Sequence, residues 1–133
     1  MLMPTVNRYM TANPRTVDAT DPMSVAHGLM REHGFRHVPV VHNGKLIGIV
    51  SDRDLHVLEA LRYESPDQVT VGEAMRPAVL TVACDAPLDE VIERMSQERC
   101  DAVAVIGKTG VVGIFTAIDA LWALTDVLRR EAA

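Results

Sequence analysis

Aligned with itself at an offset of 65 positions, the chain repeats. Met10 falls on Met75, Pro22 on Pro87, Met30 on Met95, Gly48 on Gly113 and Asp54 on Asp119. Between residues 6–54 and 71–119 eleven of forty-nine pairs are identical; the others are Val6/Val71, Thr16/Thr81, Val17/Val82, Val38/Val103, Val40/Val105 and Ile49/Ile114. Typical residue frequencies give roughly three identities by chance. Substitutions such as Ser51/Thr116 and Leu46/Val111 keep the chemistry. The offset exceeds the roughly 20–50 residues of solenoid repeats, so the pattern is that of one duplicated unit.

Each copy reads the same way. A short leading segment ends in a brief strand at Thr16-Val17 or Thr81-Val82. Thr20 and Asp85 follow as capping side chains, with Pro22 and Pro87 in the first turn of a helix. The second copy's helix carries Leu88, Val91, Ile92 and Met95, an i, i+3, i+4, i+7 stripe that Met23, Ala26, His27 and Met30 occupy in the first. Gly34 closes the first helix. Two runs of branched apolar residues come next in each copy, joined by Asn43-Gly44 or Lys108-Thr109-Gly110 as hairpin turns. A second helix ends each copy, with Leu55, Leu58 and Leu61 in the first and Ile118, Leu121, Trp122, Leu124 and Leu128 in the second. The expected fold class is α+β: two β-α-β-β-α units, small sheets packed with helices, related by a pseudo-twofold axis. A unit of about fifty residues with a one-sided sheet needs its sibling to cover that face. The expected boundaries are 1–63 for the first unit with its leading segment, 64–70 for a linker, and 71–133 for the second unit with its C-terminal helix.

The composition narrows the function classes. The 133 residues are 48 % apolar and 23 % charged, a globular balance. The longest apolar runs break within about six residues, short of the roughly 20 of a membrane span, and Met1 to Asn13 lack the pattern of a signal peptide. The two cysteines, Cys84 and Cys100, form no disulfide framework, so a reduced cytoplasmic protein is expected. The net charge of −5, with Lys and Arg scattered, argues against a nucleic-acid surface. A small anion needs only a local positive group.

The motif Gly48-Ile-Val-Ser51-Asp-Arg-Asp54-Leu recurs as Gly113-Ile-Phe-Thr116-Ala-Ile-Asp119-Ala, each preceded by Pro22 or Pro87 and a Val-Pro-Val-Val-like strand. The chain thereby resembles the CBS-domain family, named after cystathionine β-synthase, whose tandem pairs are called Bateman modules. The resemblance covers about residues 6 to 125. It implies binding of adenosine-type ligands (AMP, ADP, ATP, S-adenosylmethionine, dinucleotides) in clefts between the paired units, generally to regulate another activity.

The chemistry fits. A strand ending at Ser51 or Thr116 and running into a helix puts a hydroxyl and unpaired N–H groups at a helix N-terminus, which suits an anion. Asp54 and Asp119, three residues on, can accept both hydroxyls of a ribose, at about 1.5–3 kcal/mol per charge-assisted bond. Gly48 and Gly113 leave room for a ligand. The competing reading is that Ser51 and Thr116 only cap their helices, with Asp52, Asp54 and Asp119 as partners of the helix dipole. The residues expected to contact a nucleotide are Ser51, Arg53, Asp54, Arg36, His37, Thr116 and Asp119, with Thr16, Val17, Thr81 and Val82 of the brief strands.

The copies are unequal. The first has Phe35-Arg36-His37 and Asp52-Arg53, the second Cys100-Asp101-Ala102 and Ala117-Ile118. An acidic residue beside a phosphate is unfavourable, so the second site suits a nucleoside, binds weakly or is empty. No metal is expected: His33 and His37 are separated by Gly34, His27 replaces Ile92 on a half-buried face, and the cysteines form no CxxC pair. No enzyme is expected, because the chain has no Gly-x-Ser-x-Gly elbow, and Ser51, Asp54 and His56 crowd one helix start as caps do. Met23, Met30, Met75 and Met95 are core fillers. The Leu121/Leu124/Leu128 stripe packs on its own copy or forms a homodimer face, of which the dimer is the expectation. The expected role is a regulatory sensor of an adenine nucleotide, with no required cofactor and an unidentified regulated protein as partner. The alternative is a structural or dimerisation module with vestigial clefts.

Overall fold

The computed structural model describes residues 2–62, 65–77 and 79–133. Tyr63 and Glu64, where the first expected unit ends and the expected linker begins, lie outside the described residues. In chain order the elements are a 3-10 turn at Val6–Arg8, β1 (Thr11–Ala12), β2 (Val17–Asp18), α1 (Met23–His33), β3 (His37–His42), β4 (Lys45–Ser51) and α2 (Asp52–Arg62). There follow α3 (Val71–Ala74), β5 (Thr81–Ala83), α4 (Leu88–Glu98), β6 (Ala102–Gly107), β7 (Gly110–Thr116) and α5 (Ala117–Ala132). The helices α1 and α4, and the hairpins β3–β4 and β6–β7, fall at the 65-residue offset, so the fold is α+β with the expected order of elements in each copy. Among the described residues no helix is long and apolar enough to cross a membrane.

The chain divides into two compact units: Arg15–Val79, and Met1–Pro14 together with Leu80–Ala133. The expected grouping of residues 1–63 therefore differs from the observed one. The leading segment of each copy packs with the other copy's elements, for a reason visible in the backbone. Val6 N donates to Ala86 O (2.9 Å) and Leu88 N to Pro4 O (2.9 Å), while Val71 N donates to Asp21 O and Met23 N to Val69 O (both 2.8 Å). Each leading segment thus satisfies backbone groups where the other copy's helix begins.

In the Arg15–Val79 unit the sheet has the order β2-β3-β4, with β2 parallel and β4 antiparallel to β3. Asn43 (φ 50°) and Gly44 (φ 75°) make the tight β3–β4 turn, as their types demand. The alternating β3 residues Val38 and Val40 meet Met23, Ala26 and Met30 of α1, Leu55 of α2, and Val69 and Val71 in a dry core. Gly34 (φ 71°) ends α1. The helix start differs from the expectation. Pro22 and Pro87 occupy the N-cap positions, and no side chain caps either helix. Thr20 instead gives its N–H and hydroxyl to the Asp18 carboxylate, at 2.9 and 2.7 Å.

In the other unit the order is β1-β7-β6-β5, with β5 parallel to β6 and β7 antiparallel to both its neighbours. A register shift at Val105/Ile106 repeats the one at Val40/Val41. Phe115 is fully buried among Val6, Val82, Leu88, Val91, Met95, Val103, Val105 and Ala123. Ala123 is the buried residue of α5, whereas Leu121, Leu124 and Leu128 are 52–59 % exposed. Its own unit leaves more than half of each leucine of the stripe uncovered.

Candidate functional site

The pairing of β3 with β4 sets His37 opposite Ser51, at the sheet end where β4 runs directly into α2. Ser51 is 8 % exposed, and its hydroxyl accepts from Asp54 N (3.0 Å) while its own N–H donates to Asp54 Oδ2 (3.2 Å). This reciprocal pair is a capping box with aspartate in the third position. Asp54 Oδ1 lies 3.4 Å from Arg76 Nε, and its side chain is 16 % exposed. Arg36 immediately precedes β3, and its carbonyl accepts from Asp52 N at 3.0 Å. The Arg36 and Arg53 side chains are exposed and His37 is half-buried. Thr16, exposed, precedes β2, whose Val17 stands level with Val40, so Thr16 belongs to the same sheet end.

The second junction repeats the first. Thr116 N donates to Asp119 Oδ2 (2.9 Å), and the Thr116 hydroxyl accepts from Asp119 N (3.3 Å), a complete capping box. Ala117 N donates to Asp101 O at 2.9 Å. At the offset Thr11 stands where the first junction has Arg76.

Two expectations need correction. The helix N-termini are less open than the motif suggests: Asp52 and Ala117 give their N–H groups to carbonyls, and Asp54 and Asp119 give theirs to the capping hydroxyls. The side chains of Val17 and Val82 are core residues, 3 % and 8 % exposed, leaving only backbone to face a ligand, while Thr81 is exposed beside Val82. Ser51, Asp54, Arg53, Arg36, His37 and Thr16 lie at one end of the first unit's sheet. Thr116, Asp119 and Thr81 hold the matching places in the other unit.

A cavity of about 450 Å³ opens beside this end, lined by His27, Met30, Arg31, Gly34, Phe35, Arg36, Asp52 and His56. Only Arg36 of the expected contact residues lines it. The His27 and His56 rings lie 5.3 Å apart, and His56 Nδ1 is 3.4 Å from Asp52 Oδ1. Burial first, and then the neighbouring His56, hold the His27 imidazole below the ordinary histidine pKa. The sequence reading set His27 on a half-buried face but missed its meeting with Asp52 and His56. The four-residue spacing of Asp52 and His56 was the available signal.

Comparison with known proteins agrees with this fold. The family model for the CBS domain matches residues 6–58 and 71–126. Hypoxic response protein 1 of Mycobacterium tuberculosis is 28 % identical over 118 residues, 88 % of this chain and 82 % of that protein. The structure of the AcuB protein of Vibrio cholerae is similar at a TM-score of 0.81 and 34 % identity, covering 99 % of this chain and 98 % of the other. The CBS domain pair of protein MJ0100, solved in complex with 5-methylthioadenosine and S-adenosyl-L-methionine, is similar at a TM-score of 0.80 and 28 % identity, over 94 % and 98 % of the two chains. The duplicated β-α-β-β-α order, the two strand-to-helix motifs and the two family matches agree, and the chain belongs to the CBS-domain family, carrying the domain twice in tandem.

Proposed function

We propose that this chain is a regulatory sensor that binds an adenosine-containing ligand at the Ser51–Asp54 sheet end and catalyses no reaction. One observation carries the reading: a hydroxyl, a carboxylate and the arginines Arg36 and Arg53 gather where one strand becomes a helix. The adenosyl ligands of the MJ0100 domain pair support the ligand class. Asp54 takes the ribose diol by giving up its contact with Arg76. That ion pair, at 3.4 Å with the arginine side chain 56 % exposed, is weak enough to be exchanged. Arg36 and Arg53 meet the phosphates, Ser51 and His37 close the sheet end, and Thr16 with the Val17 backbone borders the base. Thr116, Asp119, Thr81 and the Val82 backbone form a second site that favours an uncharged nucleoside, because Asp101 and Ile118 replace the two arginines.

Calorimetric titration with AMP, ADP, ATP, S-adenosylmethionine and adenosine tests this. Asp54→Ala should weaken binding by on the order of a hundredfold, the equivalent of two charge-assisted bonds. Arg53→Ala should weaken ATP more than adenosine, and Asp119→Ala should leave ATP nearly unchanged. A wild type that binds none of these ligands at millimolar concentration, or an Asp54→Ala variant that binds as wild type does, overturns the assignment. The rest of the reading is a reduced cytoplasmic protein that forms a homodimer through α5 and passes its occupancy to a regulated protein. Ile118, Leu121, Trp122, Leu124 and Leu128 of α5 are all more than half exposed, and this apolar face is what supports assembly.

A further inference from the structure

The cavity between α1 and α2 holds a group of donors that the nucleotide reading does not use. His27 comes from α1, and Asp52 and His56, one turn apart, come from α2. Each offers one donor atom, and the three atoms lie within 4.8 Å of one another. We propose that His27, Asp52 and His56 form a binding site for a zinc-class divalent cation.

Four observations carry this. Two imidazoles and a carboxylate are the donor types that borderline ions such as Zn²⁺ select, whereas Mg²⁺ and Ca²⁺ take oxygen ligands. The spacing is right for one ion: two donors at about 2.1 Å from a tetrahedral zinc lie roughly 3.4 Å apart, and His56 Nδ1 stands 3.4 Å from Asp52 Oδ1. The remaining closure from 4.8 Å is open to side-chain rotation, because His56 and Asp52 are 63 % and 44 % exposed. Finally, His27 Nε2 is buried with no hydrogen-bond partner among the described residues, in contrast to the usual imidazole whose nitrogens are both engaged. Three protein ligands leave a fourth position open. The three residues share their cavity with Arg31 and Arg36, which suits an anion as the exchangeable ligand.

The probe is zinc ion alone, titrated into the purified full chain against a chromophoric chelator, with thermal unfolding followed in parallel. Wild type should bind one equivalent, and its unfolding midpoint should rise with added zinc. His56→Ala and Asp52→Asn, both at accessible positions, should lose more than about tenfold in affinity, the smallest loss that even an outer-shell partner causes. Their midpoints should no longer respond to zinc, while the unfolding transition without zinc shows that they fold. His33→Ala and Cys84→Ser should bind zinc as wild type does. Unchanged affinity in His56→Ala, an equal loss in His33→Ala, or no uptake by wild type at micromolar free zinc overturns the proposal. None of these outcomes depends on adenosyl ligands, so this site and the Ser51–Asp54 site stand or fall separately.

Discussion

The side chain of Met10 fills the space in front of Gly113 that a Cβ atom would occupy. Met75 covers Gly48 in the same way, with its sulfur 2.6 Å from where that Cβ would lie and the Arg76 carbonyl oxygen 2.8 Å from it. The glycine repeated in each motif therefore does not leave room for a ligand as expected; it is a contact surface for the leading segment of the other copy. The two positions differ in what blocks them. Only the flexible Met10 side chain crowds Gly113, whereas backbone crowds Gly48, at the Ile49–Arg76 pair of hydrogen bonds (3.1 and 2.9 Å). Gly48→Ala should lose about 1–3 kcal/mol of stability in urea denaturation. Gly113→Ala should lose less, and adding Met10→Ala should recover part of that loss.

Phe115 is the largest fully buried side chain among the described residues and belongs to its unit's core. Phe115→Ala should cost about 3–5 kcal/mol, read as a lower denaturation midpoint. Phe115→Leu should cost much less.

Tyr9 donates a 2.6 Å hydrogen bond to Asp126 Oδ2. That bond raises the tyrosine pKa and lowers the aspartate pKa, and Arg130, 3.3 Å from the same oxygen, lowers the aspartate further. Asp126 thus contributes stability that is present above the ordinary aspartate pKa of about 4 and is lost as pH falls through its folded value. Tyr9 contributes stability that is present below about pH 10 and is lost as pH rises through its raised value. Tyr9→Phe should therefore be less stable than wild type across the neutral range. The difference should close in strong acid and in strong base, as denaturation curves at several pH values will show.

Leu124 stands among the exposed apolar residues of α5. If that face joins two copies, Leu124→Glu should shift the protein toward monomer in sedimentation velocity, since a charge without a partner in an apolar contact is costly. A wild type that stays monomeric at high concentration removes the dimer from the reading.

The 65-residue offset carried the element order, and the residue types carried the Asn43-Gly44 turn and the Gly34 helix end. Other features are not local. Pro22 stands at the N-cap while the Asp18 carboxylate draws Thr20 into its own turn, a preference invisible in the Thr-x-Pro pattern. Which leading segment docks on which copy was illegible for a different reason. The segments carry the same anchors, Val6 and Met10 against Val71 and Met75, so either arrangement satisfies the apolar pattern. The meeting of His27 with Asp52 and His56 depends on how α1 and α2 approach, which no spacing within one helix specifies.

The exchange of leading segments also sets an order of events. The Arg15–Val79 unit is continuous in sequence and can close as soon as its last residues leave the ribosome. The other unit joins residues synthesised before Arg15 to residues synthesised after Val79. At about 5–20 residues per second, Val6 waits roughly 5–20 seconds for the strand that carries Phe115. During that interval an apolar anchor stays uncovered, and the finished inner unit acts as a tether that holds the two distant pieces within reach of each other.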